Sequence, residues 1–200
     1  MFVPNGIHCP DKRSPQLIGE KFGLKGDDYI LFLARIVPEK GLHYLIDAFK
    51  QLDTDKKLVI AGGSSHSQGY MEEIRTSCAS DSRIILTGFV QGQMLEELYS
   101  NAWTFVLPSD VEGMAISLLE AMSYGNCCLV SDIPENTEVV REYAFTFRKS
   151  DAADLKAKLE YLLTNPEENN KKKAESSAYI CDRFNWQDVV AQTLELYRKK

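Results

Sequence analysis

Short apolar runs rich in β-branched and aromatic residues alternate along this chain with segments whose apolar positions recur every three to four residues. "YILFLA" (29–34) is followed by a stretch in which Leu42, Leu45, Ile46 and Phe49 share one helical face, a pattern that predicts a strand and then an amphipathic helix. The step recurs in "KLVIAG" (57–62) before "GYMEEIRTSCA", "RIILTG" (83–88) before "GQMLEELYSNA", "WTFVLP" (103–108) before "DVEGMAISLLEAMSYG", and "NCCLVS" (126–131) before "PENTEVVRE". "YAFTFR" (143–148) adds a further strand. Strand–helix units in unbroken succession predict an α/β fold, a Rossmann-like doubly wound parallel sheet of about six strands. Right-handed crossovers would gather the C-terminal strand ends along one edge, where ligands bind in such sheets.

Beyond residue 150 only helical periodicity remains. Asp151 is a plausible cap for "AADLKAKLEYLLTN", and Pro166 suits the first turn of the next helix. The last segment puts Trp186, Val189, Val190, Leu194 and Tyr197 on one face, an apolar stripe that needs a partner surface and could drive self-association. Lys171 to Lys173 read as a solvated helix face. No linker divides the chain, so 1–150 is expected to form the core and 151–200 a helical C-terminal extension of the same domain.

Composition narrows the function. At 44% hydrophobic residues the chain can bury a substantial core, and a net charge of −6 argues against a general binder of nucleic acid or of anionic membranes. A phosphate ligand would have to be met by a local cluster. Cys9, Cys78, Cys127, Cys128 and Cys181 are odd in number and lack CxxC spacing, which favours reduced thiols in a cytoplasmic compartment. No apolar run is long enough to span a bilayer.

Three strand ends carry candidate chemistry. In "ARIVPEKG" (34–41), Arg35 and Lys40 leave one strand together, and a diphosphate there would meet a guanidinium fork and an ammonium. The same residues can equally be solvated, or Lys40 can pair with Glu39 or Asp47. In "DVEGMAISLLEAMSYG" (110–125), a helix beginning near Gly113 or Met114 would leave Glu112 in the loop, able to accept from ligand hydroxyls, with the amides of Gly113, Met114, Ala115 and Ile116 facing the same space. Glu120, about two helical turns on, would serve the other end of an extended ligand; alternatively Ser117, Glu120 and Tyr124 form a solvated stripe, and Glu112 merely favours the helix dipole. In "AGGSSHSQG" (61–69), which contains Gly62, a glycine-rich loop could accept a ligand, but it lacks the G-x-G-x-x-G spacing of dinucleotide binders. His66 reads as a surface imidazole, without metal-ligand spacing to His8 or His43. "DTD" (53–55) falls at the opposite sheet edge and reads as a turn.

"ARIVPEKG", "EGMAISLLEAM" and "VSDIPENTEVV" together resemble the signature blocks of glycosyltransferase family 4, in the order found in that family's C-terminal, donor-binding domain; "FVPNGI" (2–7) resembles the segment joining its two domains. The resemblance covers nearly the whole chain. It implies the C-terminal half of a GT-B fold and a nucleotide-sugar donor whose diphosphate is held by Arg35 and Lys40. It further implies that Glu112 contacts the transferred sugar and Glu120 the ribose, that Gly113 to Ile116 meet sugar and phosphate, and that Gly88, Phe89 and Val90 border the base. A retaining hexosyl transfer without a metal is implied, as is an acceptor domain that these residues do not include, so that donor binding without efficient transfer is expected. The full-length parent would be cytoplasmic or peripheral at the inner membrane surface. A non-enzymatic nucleotide-binding module and half of a sugar-nucleotide epimerase remain alternatives on the same frame.

Overall fold

The computed structural model describes residues 3–63 and 67–198. Six parallel strands, β1 (Tyr29–Leu33), β2 (Lys57–Ala61), β3 (Ile84–Gly88), β4 (Thr104–Leu107), β5 (Cys128–Ser131) and β6 (Phe145–Phe147), form one sheet in the order β3-β2-β1-β4-β5-β6. The predicted sheet is therefore present, strand six included. Its central strands β1, β4 and β5 are almost wholly buried because both faces are covered, as parallel sheets require, and their residues are mostly apolar.

Alternate residues face two cores. Ile30 and Phe32 of β1 pack with α2 (Leu42–Lys50), α3 (Gln68–Cys78) and α7 (Ala152–Thr164). Tyr29 and Leu31 point the other way, toward α1 (Leu17–Phe22), α4 (Gln93–Asn101), α5 (Ile116–Ser123), α6 (Pro134–Val140) and α8 (Pro166–Arg183). From β1 the strands run outward one way through β2 and β3, and from β4 the other way through β5 and β6. Neighbouring β1 and β4 thus send their chains to opposite faces, which opens a crevice at their C-terminal ends.

Asp151 caps α7, its side chain accepting from the Asp154 amide, and Pro166 occupies the first turn of α8. Residues 53–55 form the turn before β2, at the N-terminal sheet edge; Arg83 donates to the carbonyls of Leu52 and Thr54 and so pins it.

Three expectations are corrected. The lysines of α8 are not simply solvated: Lys173 pairs with Asp27 and donates to the Ala102 carbonyl, and Lys172 donates to the Glu142 carbonyl. Their long stems let ammonium groups reach back over the sheet's edge. Cys9 and Cys181 form a disulfide that ties the N-terminal segment to the end of α8, while Cys78, Cys127 and Cys128 are buried free thiols. The odd cysteine count hid one pair, which tertiary folding brings together across 172 positions. α5 begins at Ile116, later than expected, because Gly113 to Ala115 stay irregular. On α9 (Trp186–Arg198) only Val189 of the apolar stripe is buried, whereas Trp186, Val190, Leu194 and Tyr197 are exposed. No described helix is long and apolar enough to cross a membrane.

Candidate functional site

The crevice is built where the loop after β1 meets the loop after β4. Gly41 ends a short turn, Pro38–Lys40, with a left-handed φ of +64°, and a methyl carbon added there would stand 2.0 Å from the Pro108 carbonyl oxygen. Only glycine allows that approach. The amide of Asp110 donates to the Glu39 carbonyl at 2.9 Å, and the Tyr44 hydroxyl reaches the Asp110 carboxylate at 3.3 Å. Two segments far apart in sequence are thereby stitched into one rim.

Within that rim Lys40 Nζ lies 2.6 Å from Glu112 Oε1, with side chains only 14% and 5% exposed. The Ser109 hydroxyl donates to the same oxygen at 2.6 Å. Lys40 pairs with neither Glu39 nor Asp47. A nearly buried ion pair loses hydration that only good geometry and further hydrogen bonds offset, and Ser109 supplies one. Glu112 is a loop residue, as expected.

Arg35 is exposed and, among the described residues, makes no ion pair. It lines a largely apolar cavity of about 580 Å³ with Leu33, Ala34, Gly62, Phe89, Val90, Leu95 and Ser117. Gly62, with φ of +149°, lies so close to the Ala34 carbonyl oxygen that an added methyl carbon would be 1.9 Å from it. Its amide donates to the Gly88 carbonyl, which joins the ends of β2 and β3. Phe89 is 76% exposed at the cavity mouth. Gly88 borders a neighbouring groove together with Gly62 and Phe89. The cavity therefore gathers an apolar wall, a guanidinium and the first turn of α5, whose leading amides have no helical acceptors.

Glu120 stands in a separate cleft, lined by Asn5, Gly6, Ile7, His8, Ile116, Tyr124 and Trp186. Its Oε2 accepts from the Tyr99 hydroxyl at 2.8 Å, and Tyr124 stacks on Tyr99 with centroids 5.4 Å apart. The Ser117, Glu120, Tyr124 row is thus half-buried against α4 rather than a bare solvated stripe. Burial first, then the Glu120 carboxylate, push the Tyr99 hydroxyl well above the ordinary phenol range, so it stays a donor. Met114 accepts from the Asn5 amide, Ala115 caps α5 with its carbonyl, and Gly113 is exposed. Residues 64–66, including His66, and Phe2 of "FVPNGI" lie outside the described residues. Among the described residues no group of three or more His, Cys, Asp or Glu is arranged to hold a metal ion.

Ser109 and Tyr99 were not singled out from the sequence. A polar residue directly following an apolar strand was the one available sign for Ser109, and Tyr99 looked like ordinary core.

Residues 16–190 match the family model for glycosyl transferases group 1. The chain belongs to that family. This group 1 glycosyl transferase chain is 29% identical over 191 residues to an uncharacterized glycosyltransferase of Methanocaldococcus jannaschii, covering 88% of this chain and 46% of that protein. It is 24% identical over 185 residues to the O-antigen chain mannosyltransferase B of Escherichia coli, covering 90% and 48%. The chain spans about half the length of these curated relatives. Its fold matches the crystal structure of Anabaena HepE in complex with UDP and glucose at a TM-score of 0.84 and 18% identity, covering 92% of this chain and 51% of that one.

Proposed function

We propose that this chain is the donor-binding part of a retaining hexosyltransferase of the family 4 type, taking a nucleotide-diphosphate sugar without a metal ion. The observation that carries the reading is the Lys40–Glu112–Ser109 cluster, nearly buried at the C-terminal sheet edge and adjoining the start of α5. An ammonium has three donors, and Glu112 engages one of Lys40's. The others are available to diphosphate oxygens, with Arg35 and the first α5 amides as further donors. Glu112 Oε1 is occupied by Lys40 and Ser109, which leaves Oε2 to accept from a sugar hydroxyl.

The proposed chemistry follows from charge. Cleavage of the bond between the anomeric carbon and the diphosphate oxygen leaves the electron pair on that oxygen. Arg35, Lys40 and the helix-start amides stabilise the growing charge more than they stabilise the intact donor. The apolar cavity beside Phe89 and Val90 suits a base, and Glu120, one helical turn along α5 from the Ser117 that lines this cavity and held by Tyr99, is assigned to the ribose of a donor that extends past the cavity's rim. Gly62, Gly88 and Gly113 to Ile116 are assigned to backbone contacts with the donor. Acceptor recognition is assigned to parts of the whole protein beyond these residues. The mannosyltransferase relative and the neighbour solved with UDP and glucose support a hexose on a nucleoside diphosphate.

Calorimetric titration of UDP, GDP and ADP sugars into this chain tests the reading. Binding of one of them, insensitive to chelator and weakened about tenfold or more by Arg35→Ala and by Lys40→Ala, is expected. Absence of binding by all three nucleotide classes would overturn it.

A further inference from the structure

The segment "VSDIPENTEVV" is not used by the cluster just described, yet two of its residues are fully buried and polar, Ser131 at the end of β5 and Asn136 in α6. Their hydrogen bonds lead to Glu112. The Ser131 hydroxyl donates to the Ser109 carbonyl at 2.5 Å, and Asn136 Nδ2 donates to Ser131 Oγ at 3.1 Å and approaches the Ser131 carbonyl at 3.3 Å. The direction of each bond is forced. A carboxylate only accepts, so the Ser109 hydroxyl gives its one proton to Glu112; a carbonyl only accepts, so the Ser131 hydroxyl gives its proton to Ser109 and must receive from Asn136.

We infer that Ser109, Ser131 and Asn136 are positioning residues that fix Glu112 Oε2 for one hydroxyl of the transferred sugar. This rests on the donor reading given above. Glu112 sits on an irregular stretch, and Lys40 is a flexible partner, so their contact alone leaves the pair free to swing together. Ser109 removes that freedom because its own main chain is anchored: it follows β4, whose Leu107 is in register with Val130 of β5, and its carbonyl is clamped by Ser131. Buried, fully satisfied polar chains of this kind hold one geometry, and a carboxylate held in place discriminates hydroxyl configuration better than a mobile one.

The test compares a nucleotide sugar with its bare nucleoside diphosphate on the same chain, using calorimetry. The unmodified chain is expected to bind the sugar nucleotide more tightly, and Ser131→Ala, which lies outside the binding cluster, is expected to erase about tenfold of that advantage while the affinity for the diphosphate alone holds; Ser109→Ala is expected to erase the advantage as well. Ser131→Thr keeps a hydroxyl in a strand that tolerates β-branching and should restore the advantage. Melting temperatures identify folded variants, and the Ser131→Thr comparison stands even if one alanine variant unfolds. If the sugar advantage survives both alanine changes, or if affinity for bare diphosphate falls in parallel in Ser131→Ala, the positioning role is wrong while the donor site stands. If the unmodified chain binds neither compound, the donor reading itself has failed.

Discussion

Gly41→Ala tests the stitched rim most directly, because its effect is set by geometry and does not depend on what ligand the crevice takes. The new methyl carbon would be 2.0 Å from the Pro108 oxygen and 2.9 Å from its carbonyl carbon, distances at which something must shift. Both obstructing atoms are backbone, so the two loops must part by about 1.4 Å to regain ordinary contact. The residue must also hold a left-handed φ of +64°, which costs a side chain about 1–2 kcal/mol. Parting the loops stretches the bond from the Asp110 amide to Glu39, 2.9 Å long, for about 1 kcal/mol more. Together these give about 2–3 kcal/mol of destabilisation, a fall in Tm of roughly 4–12 °C for a domain of this size. Urea unfolding followed by circular dichroism, at constant m, measures it. Gly113→Ala is the matched control, since an added methyl there meets nothing within 4 Å and should change stability by no more than about 0.5 kcal/mol. A Gly41→Ala protein as stable as the Gly113→Ala control would refute the close approach of the loops.

In a double-mutant cycle on Lys40 and Glu112, each single alanine change strands a nearly buried charge and should cost about 3 kcal/mol; the double variant should cost less than their sum by more than about 1 kcal/mol, and additive unfolding energies would mean the pair is not coupled. Hydrogen bonding from Arg83 holds the Asp81 carboxyl below its usual range, so the unfolded chain takes up that proton first as pH falls. Stability from this pair should be complete above about pH 4 and fade as pH drops through the lower folded value, and Asp81→Asn should flatten that acid limb in a pH series of urea melts. Thiol titration in denaturant without reductant should find three reactive cysteines, and five after reduction; five in both conditions would exclude the Cys9–Cys181 bond.

Strand positions were legible because a parallel sheet covered on both faces demands unbroken apolar runs, as at "YILFL" and "TFVL". The placing of Arg35, Lys40 and Glu112 at strand ends followed from those runs. Their partnership did not, since Lys40 and Glu112 are 72 positions apart and meet through long-range contacts between the two loops, Gly41 against Pro108 and Glu39 with Asp110. The start of α5 was misjudged for want of a side-chain cap: Ala115 offers no local signal, and tertiary contacts such as that of Met114 with Asn5 hold the preceding turn. Glu120 was placed from the sequence about two turns from Glu112, at the far end of an extended ligand; which cleft it borders is set by the packing of α5 on Tyr99, which no local pattern records. The reach of Lys173 across to Asp27 and the Cys9–Cys181 link are likewise long-range encounters that leave no periodic trace.

The reversal of strand order beside β1 has a further consequence. The Gly88–Gln91 rim belongs to an excursion on one side of that reversal, and the Ser109–Ser117 rim to an excursion on the other. Substitutions confined to the first can reshape what the crevice admits at its apolar end without disturbing the charged pair, so descendants of one ancestral scaffold could diverge in taste while inheriting the same Lys40–Glu112 contact.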